Sequence, residues 1–295
     1  SLACYTTELY TATGASDTWV NQQNWFQNKA LDFAYLIENE ADGMEFFGRL
    51  TNTLGNVVIA STTAQTSAGT AGTFSTVTLS PGSQAYSGAN GGPSFRLLGK
   101  ASTNHTGKKL RIVASKIVRS DASSLSSGFM LVPMNQGGTS AGHWSDVANW
   151  SQAARNAYVS FHGIDTMFIA LGQNDSGQTK AVYKARINLL IDTFRIANPN
   201  MEFILVAPYQ SDPASYWTAS ANNSYEDFAD ALYEITQARS SYCLFLNLGR
   251  AMDCNAATPT LNYNQLKSNW LTDDVHPTAY GRAYIQGTLW SLVEA

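Results

Sequence analysis

An aspartate and a histidine near the C-terminus have the residue types and spacing of an acid–base pair. His276 follows Asp273 by three residues and directly precedes Pro277. Because a proline disfavours the helical conformation for the residue before it, we expect His276 on a loop. There the Asp273 carboxylate could accept the Nδ1 proton and leave Nε2 facing a nucleophile. A loop histidine that only caps the last helix would have the same local sequence.

Two other stretches place glycines and amides directly after apolar runs. Residues 135–142 (NQGGTSAG) follow the run GFMLVPM, and residues 171–177 (LGQNDSG) follow DTMFIA. In an open parallel sheet, ligands bind beyond the carboxyl ends of the strands. These strand ends therefore hold the polar and glycine residues that a catalytic loop would use.

The elements that must position these loops change in character along the chain. From about residue 30 to 120, apolar runs alternate with turn residues at close spacing, which predicts an antiparallel β-sandwich. After about residue 125, continuous apolar strands alternate with helical runs, which predicts a parallel sheet wrapped by helices. We expect an α/β protein in which residues 122–295 form the main domain and residues 31–121 the sandwich. Residues 1–30 are expected to supply the first strand and helix of the main domain.

The composition excludes several classes of partner. Charged residues make up 14% of the chain, against roughly 25% in an average soluble domain, which favours an extracellular or virion-associated protein. The net charge of −4, without a basic run, argues against nucleic acid, and no apolar stretch reaches the ~20 residues of a membrane span. No residue spacing suits a metal, so no metal and no cofactor are expected. Cys243 and Cys254 could pair and leave Cys4 free, or all three could be buried thiols.

The loop motifs, taken together, resemble those of the SGNH hydrolases, the GDSL-type esterase family. Residues 172–175 match the family's Gly-x-Asn-Asp motif, residues 273–277 its Asp-x-x-His-Pro motif, and residues 135–137 its second motif. The resemblance implies a flavodoxin-like, three-layer α/β/α domain with a parallel sheet, to which the sandwich is inserted or N-terminal.

The same resemblance implies a role for each matched residue. His276 would accept the proton of a serine hydroxyl, and Asp273 would orient the imidazole ring. Gly137 and Asn174 would bind the oxyanion together with the nucleophile's own backbone. Asn174 could instead be only a turn residue, and Gly137 could serve only the backbone of its turn, in which case Gly138 could take its role.

The nucleophile stays open because the family's first motif, Gly-Asp-Ser, is absent. Ser16, in GASDT, ranks first because its separation from Gly137 is close to the usual one once an inserted sandwich is subtracted. Its weakness is the preceding strand TTELYTAT, which is polar for a central strand. Ser1, in SLACY, ranks second and would need a central strand from elsewhere. Ser115 and Ser140 rank lower, because they belong to a predicted sandwich strand and to the second motif.

The leading functional hypothesis is a serine esterase that removes small acyl groups, O-acetyl above all, from a polysaccharide or glycan. A secreted deacetylase or a phage tailspike would fit. The first alternative is a catalytically inactive carbohydrate-binding or virion structural protein on the same scaffold. The second is a lipase or thioesterase of the same family. Assembly into a homo-oligomer is left open.

Overall fold

The computed structural model describes most of the chain and divides it into two compact units. The described residues are 7–10, 21–23, 31–51, 58–81, 94–99, 109–119, 132, 134, 138–209, 225–251, 271 and 276–293. The first unit comprises Ser1–Met134 and Ala153–His162, and the second comprises Asn135–Gln152 and Gly163–Ala295.

The first unit is built on two antiparallel sheets. Its described strands are β1 (Thr7–Tyr10), β2 (Asn21–Gln23), β3 (Leu31–Glu38), β4 (Glu45–Thr51), β5 (Val58–Ser61), β6 (Gln65–Thr66), β7 (Phe74–Leu79), β8 (Ser94–Gly99) and β9 (Lys109–Arg119). One sheet has the order β1-β9-β3-β7, and the other has the order β2-β8-β4-β5 with β6 paired to β4.

The strands of both sheets contribute to one hydrophobic core. In β7, Val77 and Leu79 are buried whereas Thr76 and Thr78 are exposed, which is the alternation of a strand with one solvated face. The buried cluster draws on β3, β4, β7, β8 and β9, and includes Phe33, Tyr35, Ile37, Phe46, Leu50, Leu97 and Leu110. The antiparallel strands expected from the sequence are therefore present. Their assignment to a carbohydrate-binding-like β-sandwich stays a prediction.

Two segments lie elsewhere than the sequence suggested. β1, part of the TTELYTAT run expected in the parallel sheet, pairs antiparallel with β9, with Thr7 opposite Ile112. The physical reason is its polar composition, because a central parallel strand is buried on both faces and needs continuous apolar residues. Residues 153–162, expected in the main domain, group with the first unit. The predicted boundaries at residues 30/31 and 121/122 stay a prediction.

The second unit contains the predicted parallel sheet. Its described strands are β10 (Thr166–Ile169), β11 (Glu202–Ala207) and β12 (Cys243–Asn247), in that order in the sheet. The described helices of the chain are α1 (Ala141–Ser145), α2 (Gln152–His162), α3 (Lys180–Ala197), α4 (Tyr225–Ala238), α5 (Leu248–Ala251) and α6 (Ala279–Val293). β11 is buried from its second residue onward, as a central strand covered on both faces requires. The mixed α/β architecture is confirmed, and the three-layer arrangement stays a prediction.

Helix α3 is the element that supports the loops of interest. Thr179 caps its first turn by accepting a hydrogen bond from the Val182 N–H at 3.3 Å. Its buried residues recur at helical spacing (Tyr183, Ile187, Leu190, Ile191 and Phe194), and the helix contacts α1 and α4. Lys180 and Lys184 on its exposed side pair with Glu234 of α4 at 2.7 and 2.6 Å.

The described residues also bear on the membrane, metal and cysteine expectations. None of the described helices has the length and apolarity needed to span a membrane. In the same part of the chain, no cluster of His, Cys, Asp and Glu side chains could hold a metal ion. Cys243 is a free thiol on β12, and burial raises its pKa to about 11. Pairing with Cys254 is therefore not found, while Cys4 and Cys254 themselves lie outside the described residues.

Candidate active site

The loop after β10 forms a tight turn that carries the Gly-x-Asn-Asp residues. Gly172 has φ +137°, and Gln173–Asp175 form a single 3-10 turn. The Asp175 N–H closes this turn by donating to the Gly172 carbonyl at 2.9 Å. Asn174 is exposed, whereas Asp175 is only 1% exposed. Neighbouring side chains thus point in different directions, the amide outward and the carboxylate into the protein.

Contacts from α3 and β11 hold this turn in place. The buried Tyr183 hydroxyl donates to the Leu171 carbonyl at 2.8 Å, and the Tyr183 ring stacks on Phe228 with centroids 4.1 Å apart. The Gln173 side chain donates to the Tyr209 carbonyl, just beyond β11, at 2.9 Å. The turn is therefore fixed at the carboxyl ends of two adjacent parallel strands, where ligands bind in open sheets.

The residues that follow the second predicted motif contact this turn. The Asn174 amide donates to the Thr139 carbonyl at 3.1 Å, and the Ala141 N–H donates to the Asp175 carboxylate at 2.8 Å. The Trp144 indole N–H also donates to the Thr139 hydroxyl, at 2.9 Å. Because a side-chain amide carries two donor protons, Asn174 can contact Thr139 and still donate to an oxyanion.

The Asp175 carboxylate lies in an environment that works against its charge. Burial raises its pKa, and the Ala141 N–H and the Arg186 guanidinium oppose that rise. Arg186 Nη1 lies 3.5 Å from Asp175 Oδ1. The structure thus supplies a hydrogen-bond donor and a cation to a carboxylate that has lost its water, which is what a buried charge needs.

The structure describes the two lower-ranked candidate nucleophiles, Ser140 and Ser115. The Ser140 side chain caps α1 by accepting from the His143 N–H at 3.3 Å. Ser115 lies within β9 in register with Tyr35 of β3, in the first unit. Ser115 therefore lies in a strand, as the sequence suggested, and Ser140 directly precedes a helix.

His276 is exposed and lies shortly before the last helix. Leu271 and Pro277 form an isolated antiparallel bridge. α6 begins at Ala279, and the Thr278 hydroxyl caps it by accepting from the Gly281 N–H at 3.0 Å. The helix cap is thus supplied by Thr278. The role of His276 as a catalytic base stays a prediction.

The remaining predicted site residues are only partly placed. Asp273, Gly137, Ser16 and Ser1 lie outside the described residues, so their roles stay predictions. Gly138 is described and exposed, with φ +77°, at the start of the segment that contacts Asn174.

Solved structures provide the comparison that bears on the fold, since no family model and no curated protein matches the chain. The chain is similar to a peptidoglycan O-acetylesterase at 13% sequence identity and a TM-score of 0.57. The match covers 98% of this chain and 78% of that one. The fold of the chain is therefore similar to that of this esterase. At this level of identity the similarity shows the fold alone.

Two carbohydrate esterases are also similar, but more weakly. One is a family 3 enzyme from Talaromyces cellulolyticus, at 19% identity and a TM-score of 0.39, covering 55% of this chain and 70% of that chain. The other is a family two enzyme from Clostridium thermocellum, at 12% identity and a TM-score of 0.32, covering 97% and 93%. The fold assignment rests on the stronger match.

The sequence analysis gave no role to Asp175 or Arg186. Asp175 could have been noticed, because it ends the Gly-x-Asn-Asp motif. Arg186 could not, because it lies within the helical run of α3 and its sequence context does not differ from that of a solvated surface arginine. Its importance comes from a contact between elements that only the fold brings together.

Proposed function

We propose that this protein is a serine esterase that hydrolyses small acyl esters, O-acetyl groups above all, on a polysaccharide or other glycan. The observation that carries the proposal is the contact between the two predicted oxyanion loops, through Asn174 to Thr139 and Asp175 to Ala141. These loops are more than 30 residues apart in sequence, and they meet at the sheet edge where such a site is expected.

In the proposed reaction, a serine hydroxyl attacks the ester carbonyl while the His276 imidazole accepts its proton. Asp273 orients the ring and stabilises the imidazolium that forms. The oxyanion receives hydrogen bonds from the Gly137 N–H and from the second amide proton of Asn174. His276 then returns the proton to the leaving alcohol, and water hydrolyses the acyl-enzyme. Ser16 is the first choice of nucleophile and Ser1 the second.

Three considerations support the glycan substrate. The similarity to a peptidoglycan O-acetylesterase extends over 98% of the chain and so includes the antiparallel unit as well as the parallel sheet. The low charged fraction, 14%, favours a protein that acts outside the cell or on a virion. No lid or acyl channel was evident in the sequence, which disfavours the lipase alternative.

The first experiment measures hydrolysis of p-nitrophenyl acetate and release of acetate from an O-acetylated polysaccharide. We expect His276→Ala to lower kcat by about 10³-fold or more, and Asn174→Ala by about 10²–10³-fold. Gln286→Ala is the matched control, because Gln286 is an exposed residue of α6 and should retain wild-type activity. Wild-type rates in both His276→Ala and Asn174→Ala would contradict the proposed site.

A second substrate series separates the esterase from its closest alternative. We expect the acetyl ester to be hydrolysed at least 10-fold faster than the octanoyl ester of the same alcohol. Comparable rates would favour a lipase or thioesterase. A fluorophosphonate label followed by peptide mapping identifies the nucleophile, and a label on neither Ser16 nor Ser1 would show that their ranking is wrong.

A glycan-binding protein is the second candidate function, favoured by the missing Gly-Asp-Ser motif. It predicts that the wild-type protein binds an acetylated polysaccharide and leaves every acetyl group in place. Acetate release together with binding rejects this candidate. Binding with no release, and no fluorophosphonate label, supports it against the esterase.

A further inference from the structure

Asp175 is unusual among the acidic residues of this protein. Its side chain is fully buried, and no other Asp or Glu residue in the described part of the chain is buried. A buried carboxylate is costly unless hydrogen bonds or a cation compensate for lost hydration. Its position next to Asn174, in the turn that carries the proposed oxyanion donor, suggests that this cost serves the site.

The Asp175 carboxylate contacts the start of α1 and Arg186 of α3. Its Oδ2 accepts from the Ala141 N–H at 2.8 Å. Arg186 Nη1 lies 3.5 Å from Oδ1. The Arg186 guanidinium also packs on Gly142 so closely that a Cβ there would be 2.8 Å from Arg186 Cζ. The carboxylate, the guanidinium and this short stretch of backbone form one closed cluster.

We propose that Asp175 is a positioning residue that fixes the segment carrying the backbone oxyanion donor, and that Arg186 supports it. The proposal rests on the proposed esterase function. In this proposal the turn Gln173–Asp175 has two roles. Asn174 supplies one donor directly, while Asp175 holds Ala141 in the loop that follows the predicted donor Gly137. A misplacement of about 1 Å in a catalytic constellation can cost ~10²-fold in rate.

The kinetic test uses substitutions at Asp175 that differ in what they retain. Asp175→Ala removes the acceptor, and we expect kcat on the acetyl ester to fall about 10²-fold with KM within about threefold, because ground-state binding is untouched. Asp175→Asn keeps the shape and a neutral acceptor, so we expect an intermediate loss of about 10-fold, since charged acceptors bind N–H groups more strongly. Asp230→Asn is the matched control, on an exposed side chain of α4.

The outcomes separate positioning from general stabilisation. The proposal is supported if kcat decreases from the wild type to Asp175→Asn and further to Asp175→Ala, while both variants fold and keep the wild-type KM. Folded variants that keep kcat within threefold, or that raise KM alone, overturn it. If Asp175→Ala does not fold, Arg186→Gln takes its place, because Arg186 is partly exposed and its loss leaves the Ala141 hydrogen bond present. A kcat loss of about fivefold to 10-fold is then expected, and unchanged kcat overturns the support by Arg186.

A readout independent of catalysis distinguishes failure of this inference from failure of the proposed function. Amide hydrogen exchange across residues 138–146 should quicken in Asp175→Asn, most at Ala141, and stay unchanged in Asp230→Asn. If the wild-type protein hydrolyses no ester, the esterase proposal fails and the positioning role fails with it, although faster exchange at Ala141 would still show that the cluster orders the loop. Unchanged exchange in Asp175→Asn refutes the cluster whether or not the protein is an esterase.

Discussion

The backbone at Gly172 provides a direct test of how the Asn174 turn is built. Gly172 has φ +137°, a conformation that residues with a Cβ rarely adopt. A Cβ at this position would also lie 3.1 Å from Pro208 Cγ and 3.5 Å from Phe228 Cδ2. Gly172→Ala therefore has two costs. The backbone conformation is strained by an amount of the order of 1–3 kcal/mol, and the new Cβ makes one contact, with Pro208, that is tighter than usual.

We expect Gly172→Ala to lower the free energy of unfolding by about 2–3 kcal/mol, as measured by urea denaturation. Because the strain can also be relieved by a shift of the turn, kcat on an acetyl ester should fall about 10-fold or more. Gly177→Ala is the matched control in the same loop, since a Cβ there meets no atom within 4 Å. It should change the free energy of unfolding by no more than about 0.5 kcal/mol. Equal costs for the two substitutions would refute this explanation of the turn.

Two further predictions concern residues that affect the stability of the protein, Tyr183 in the second unit and His162 in the first. Tyr183→Phe keeps the stack on Phe228 but leaves the Leu171 carbonyl without its donor, so the free energy of unfolding in urea should fall by about 1–3 kcal/mol. Burial and the neighbouring Lys116 lower the pKa of His162 from 6.5 to about 4. The unfolded chain therefore binds the proton first as pH falls, and the wild-type protein should lose about 1–2 kcal/mol between pH 7 and pH 4, after allowance for solvent screening. His162→Phe should lack that part of the pH dependence, and an unchanged pH profile would show that His162 is not its source.

The sequence was most informative where a local pattern is tied to one physical requirement. Continuous apolar runs predicted β10, β11 and β12, and the central strand β11 is buried from its second residue onward. The position of Asn174 beyond a strand end followed from the apolar run that precedes the third motif. The fold and one part of the site were therefore accessible from single stretches of sequence.

What the sequence could not supply are contacts between distant elements. Arg186 lies on α3, and its proximity to Asp175 depends on how α3 packs against α1. The partner of β1 could not be predicted either, because a short polar strand carries no mark of which sheet it joins. β1 pairs with β9, whose residues lie about 100 positions later in the chain, and local propensity does not encode such a pairing.

The adjacency of Asn174 and Asp175 has a consequence for how stability and activity are coupled. A 3-10 turn places successive side chains about 120° apart, so one residue can face solvent while its neighbour faces the interior. Loss of the exposed Asn174 amide removes one hydrogen bond, to Thr139, and should mainly affect the rate. Loss of the buried Asp175 carboxylate leaves the Ala141 N–H unpaired and should affect both rate and stability. Because both residues act on the same two loops, their effects on kcat should be less than additive in the double variant, whereas additive effects would mean that the two donors are positioned independently.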